Sequence, residues 1–90
     1  MKLLTVDNIQ KKDIPLHYRN EFSGQARFLP THRGKQEEIH HQIEFAIERS
    51  ALGKTEISVK VLGEVDYPLV PLIKSIKTHI IELQYKGLLP

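Results

Sequence analysis

Five histidines and eleven carboxylates in ninety residues raise two chemistries, metal ligation and acid–base catalysis, and both turn on which side chains share a face. His40 and Glu44 stand four residues apart, as do Glu37 and His41. On a helix each pair would lie on one face, at a spacing that suits a divalent ion. A closed site needs more ligands, and His32 is the histidine of the preceding loop. His40 and His41 are adjacent and point about 100° apart on a helix, unlike the two histidines four apart, with a glutamate beside the first, of a metalloprotease helix. The pattern reads as a solvated polar face, with no metal or other cofactor expected.

Nucleophile chemistry fares no better. Ser23, Ser50, Ser58 and Ser75 all lack the Gly-x-Ser-x-Gly context of a nucleophile elbow. His79 borders an apolar stripe and reads as a half-buried histidine bonded to a carbonyl. The lone glycines of Ser23-Gly24 and Arg33-Gly34-Lys35 make no phosphate-cradling loop. Glu56 and Lys60 are four apart, not the Glu-x-Lys of many metal-dependent nucleases. The absence of cysteine removes thiolate nucleophiles, disulfides and thiolate-bound metals. No catalytic residue is assigned, and a non-enzymatic protein is expected.

Binding chemistry has a better claim. From Pro15 to Lys35 there are four fixed cations, Arg19, Arg27, Arg33 and Lys35, against one acid, Glu21, although the net charge of the whole chain is only +2. These cations and His17 and His32 interleave with Tyr18, Phe22 and Phe28. Cations release counterions from phosphates and exposed aromatics stack on unpaired bases, so Arg19, Arg27, Arg33, Lys35, Tyr18 and Phe28 form a candidate surface for nucleic acid or an acidic partner. Four cations would give a salt slope of only about three to four. The same aromatics would equally serve as core anchors.

The elements that position these residues are read from periodicity. Residues 1–34 form an irregular, basic N-terminal segment: Lys2 to Val6 as a short edge strand, Asp7 capping a helical turn, a second turn begun by Pro15, and an extended Gln25–Leu29. Gly34 and Gly53 bracket a predicted helix with an inner stripe of Ile39, Ile43, Ala46, Ile47 and Ser50. From Thr55 to Leu62 the period becomes two, with Ile57, Val59 and Val61 on one side and Glu56, Ser58 and Lys60 on the other, which predicts a half-buried strand. Asp66-Tyr67-Pro68 opens the last helix, and Gly87 closes it with Leu88 folded back on Leu83. Its seam is Leu69, Ile73, Ile76, Ile80 and Leu83. Residues 35–90 thus read as a helix–strand–helix core.

That order, with Ala46, Gly53, Ile57 and Val59 and then a helix ending in Leu83-x-Tyr85-x-Gly87, resembles the core of small proteins from bacteriophages and prophages of Gram-positive bacteria, over about residues 36–88. The resemblance implies an accessory or host-directed role. The start, Met1 to Asp7, lacks the apolar core of a secretory signal, and no run approaches the roughly 20 apolar residues that span a bilayer. A cytoplasmic location without membrane contact is expected. The fold class is α+β in one domain, 1–90, with a small sheet completed by dimerisation, because a lone strand leaves its backbone unpaired. Leu69, Ile73, Ile76, Ile80, Leu83, Ile57 and Val59 are the candidate self-association residues. The function expected is a small self-associating homodimer that binds a macromolecule such as a host protein. The alternative is a nucleic-acid-binding regulator using residues 17–35.

Overall fold

Between Arg19 and Leu29, Phe22, Gly24, Ala26 and Phe28 alternate with Glu21, Ser23, Gln25 and Arg27, a period of two that suits an extended strand with one face on a core. The computed structural model, which describes residues 2–29, 37–65 and 68–90, bears this pattern out along the chain. Its elements are β1 (Lys2–Lys11), β2 (Arg19–Leu29), β3 (Ile39–Arg49), β4 (Thr55–Val61) and α1 (Leu69–Tyr85). The strands form one antiparallel sheet in the order β1-β2-β3-β4. The helix packs on one face of it, reaching β1 and β4.

This corrects the helix–strand–helix reading. The helix expected from residue 35 to residue 53 is the strand β3, and the segment expected to be irregular supplies β1 and β2. The physical reason lies in a double periodicity. Ile39, Ile43, Ala46, Ile47 and Ser50 fit a helical stripe, but Ile39, His41, Ile43, Phe45 and Ile47 fit a strand face equally well. Three β-branched isoleucines and a phenylalanine favour the pleated surface. Pairing with β2 then decides the matter, because Gly24 faces Ile43, Phe22 faces Phe45 and Asn20 faces Ile47. Ser50 falls in the β3–β4 turn, where its hydroxyl accepts from the Lys54 amide at 3.1 Å. Gly53 in that turn has φ +81°, so its left-handed backbone ends no helix but reverses a hairpin. Gly34 and Asp66, expected as helix caps, lie outside the described residues.

The core lies between the inner sheet face and α1. Val6, Phe22, Ala26, Phe28, Ile43, Phe45 and Ile47 from the sheet meet Leu72, Ile76 and Ile80 from the helix. Phe22 and Phe45 stack at 4.8 Å between ring centres. The seam is therefore centred one step round the helix from the one expected: Leu72 joins it, Ile73 and Leu83 flank it half-buried, and Leu69 is 43% exposed. Pro71 sits in the first turn, where an amide has no intrahelical acceptor to lose. At the other end Gly87, at φ +69°, donates to the Gln84 carbonyl and Leu88 donates to the Leu83 carbonyl, the paired bonds of a Schellman terminator. The Leu88 side chain remains exposed, and it is Leu89 that packs on the core. Among the described residues no helix is long and apolar enough to cross a membrane.

The first strand is less regular. Its pairing with β2 shifts register between Leu3 and Thr5 and again between Asp7 and Gln10. At the second shift Asn8 takes φ +51°, a left-handed conformation that asparagine tolerates better than most residues. Gly24 lies opposite, where a Cβ would stand 3.4 Å from the Asp7 carbonyl oxygen and 3.4 Å from Val6 Cγ1. Asp7 is thus a strand residue, not a cap, and the segment around Pro15 links β1 to β2 without a helix.

Candidate functional site

The sheet face turned away from α1 is polar, and its charges are arranged across strands. Arg19 Nε donates to Glu21 Oε2 at 3.0 Å and its Nη1 to Glu48 Oε2 at 3.2 Å. The hydrogen bond from Glu21, helped by the nearby Glu48, holds the Arg19 guanidinium above its ordinary pKa. Arg27 Nη1 donates to Asp7 Oδ2 at 3.1 Å, and its Nε lies 2.6 Å from Glu38 Oε1. Lys12 pairs with Glu44 at 3.3 Å. These pairs join sequence-distant residues because antiparallel register sets them side by side.

The basic segment is consequently not a free cationic surface. Arg19 and Arg27 are each bracketed by two carboxylates, and Phe28 is buried in the core against the His41 ring at 5.6 Å. Tyr18 is exposed. Arg33, Lys35 and His32 lie outside the described residues. The candidate metal pairs separate as well. On a strand, residues four apart are about 13 Å distant, and adjacent His40 and His41 point to opposite faces. Among the described residues no group of three or more histidines, aspartates or glutamates is placed to hold a metal ion. His79 Nε2 is buried with no hydrogen-bond partner among them, not bonded to a carbonyl.

Of the self-association residues, Ile76 and Ile80 are wholly buried beneath the chain's own sheet. Ile57 and Val59 stand half-buried on β4, an edge strand. That strand does find a partner in the same chain, the β3 that had been read as a helix, so the argument for an obligatory outside partner falls. Its other edge remains open among the described residues. β4 carries no register shift, in contrast to β1 at the opposite edge.

A second feature lies at one end of the sheet, where the β1–β2 link, the β3–β4 turn and the last turn of α1 come together. A depression of about 850 Å³ there is lined by residues that include Tyr18, Asn20, Arg49, Thr55 and Gln84. Leu52 and Tyr85, exposed at 87% and 93%, project from two of the same segments. The sequence reading missed this end because it depends on three loops that only the topology brings together.

The model of an uncharacterised protein family matches residues 1–85, which takes in all five elements. The chain belongs to that family. No curated protein and no solved structure matches it. Membership of this family gives the chain a place that the resemblance to phage helix–strand–helix proteins does not, since Ala46 of that supposed first helix lies in β3.

Proposed function

We propose that this family member is a small self-associating protein that works by binding another macromolecule and has no catalytic role. The observation that carries the reading is the open edge of β4. Seven residues run there without a bulge, and an unpaired, regular edge is a template for another strand. The β1 edge is broken by two register shifts and a left-handed Asn8, the kind of irregularity that blunts edge pairing. The exposed Tyr18, Leu52 and Tyr85 around the end depression supply the apolar and aromatic surface that a macromolecular partner would cover.

The nucleic-acid alternative draws on Arg19 and Arg27, which are already neutralised by carboxylates, and on Phe28, which is buried. It has less support for that reason. Retardation of DNA or RNA at low salt that fades as salt rises would reinstate it. The phage-derived, host-directed role rested on an element order that the chain does not have, and it adds nothing to the proposal.

Sedimentation velocity on the purified chain tests self-association directly. A species of twice the chain mass at micromolar concentration is the expected result. A monomer throughout that range overturns the reading.

A further inference from the structure

The backbone and the charges of β4 fit a second copy of themselves in one register. Leu62 donates to the Gln42 carbonyl and Ser50 to the Lys54 carbonyl across the β3–β4 ladder. Bonding alternates along an antiparallel pair, so Glu56, Ser58 and Lys60 direct their backbone groups at β3, and Thr55, Ile57, Val59 and Val61 direct theirs outward. An incoming antiparallel copy of β4 must therefore oppose odd-numbered residues to odd-numbered ones. The fully overlapping arrangement is centred on Ser58.

In that arrangement Glu56 of each copy faces Lys60 of the other, twice by symmetry, while Ile57 faces Val59 on the inner side. Moving the centre to Ile57 sets Lys60 opposite Lys54. Moving it to Val59 sets Glu56 opposite Leu62. Only the Ser58 centre matches charge with charge. Glu56 and Lys60 also have no ion-pair partner among the described residues, whereas Lys12, Arg19, Arg27, Glu44 and Glu48 are all engaged on the same face. Within the chain Glu56 stands opposite another carboxylate, Glu48, so a lysine from outside relieves a like-charge pair.

We propose that two copies of this chain join edge to edge through β4 about a two-fold axis at Ser58, making one continuous eight-stranded antiparallel sheet. Both helices then lie on the same side of it, and the polar faces merge on the other. The interface is isologous, as a closed dimer requires. This rests on the self-association reading above and gives it a surface and a register.

The chain has no cysteine, so one introduced thiol reports on its own symmetry mate. Facing residues of a non-hydrogen-bonded pair have Cα atoms about 4.5 Å apart, within disulfide range. Ser58→Cys should therefore form a covalent dimer under mild oxidation, at least about tenfold faster than Glu56→Cys or Lys60→Cys alone, whose symmetry mates are about 13 Å away. Glu56→Cys and Lys60→Cys mixed in equal amounts should cross-link to each other. Separately, Glu56→Lys or Lys60→Glu should each weaken association about tenfold, and mixing the two should restore it, because each supplies the charges the other lacks. Circular dichroism of each variant confirms that its sheet is intact. A wild-type monomer would overturn this inference and the self-association reading together. A wild-type dimer in which Ser58→Cys cross-links no faster than Glu56→Cys, or in which folded charge-reversed variants associate unchanged, overturns the β4 surface and leaves self-association standing.

Discussion

Arg27 sits between Asp7 and Glu38, so its loss removes two ion pairs from three different segments at once. Half-exposed pairs are weak individually, and Arg27→Gln should cost about 1 kcal/mol in thermal or urea unfolding. Arg27→Glu should cost more, because it would gather three carboxylates. The raised pKa of Arg19 implies a contribution that is complete below the ordinary arginine value and is lost only as pH rises past the still higher folded value. Stability measured from about pH 6 to pH 9 should therefore show no titration from this group. Two backbone positions give sharper tests. Asn8→Val should destabilise by about 1–2 kcal/mol, because valine is forced to a positive φ, while Asn8→Gly should be near neutral. Gly24→Ala should fold with stability unchanged or slightly raised, since its Cβ would make ordinary contacts, whereas Gly24→Val should lose about 1–3 kcal/mol against β1. None of these partnerships was legible in the sequence. Arg27 is twenty residues from Asp7, and only a register with two shifts brings them together.

Among the elements, β4 and α1 were legible because each shows one period and sharp ends. Ile57, Val59 and Val61 alternate cleanly, and Gly87 takes the left-handed terminal position expected of it. Strand β3 was not, because its apolar residues satisfy two periods and its true identity comes from the neighbours it pairs with. Strand β2 was hidden by small residues: Gly24 and Ala26 are core positions of little hydrophobic weight. The helix seam can be checked by contrast. Ile80→Ala should cost about 2–5 kcal/mol by opening a cavity under the sheet, while Ile81→Ala, at a position 54% exposed, should change unfolding free energy by less than about 0.5 kcal/mol. A reversed ranking would mean that α1 is rotated from the position described.

At the scale of the molecule, association links stability to concentration. If only folded chains pair, the unfolding midpoint should rise as protein concentration increases, and differential scanning calorimetry over a hundredfold dilution series checks it. The order of the elements has a further consequence during synthesis. All four strands are sequence neighbours joined in hairpin order, so the sheet can zip up as it leaves the ribosome, but the only cover for its greasy side is encoded last. Until Leu69–Tyr85 emerges, Phe22, Phe28, Ile43 and Phe45 lack the rod that shields them. A nascent or prematurely stopped chain is then a half-finished sandwich, sticky on one side and open along β4, the kind of species that chaperones hold and that clumps without them.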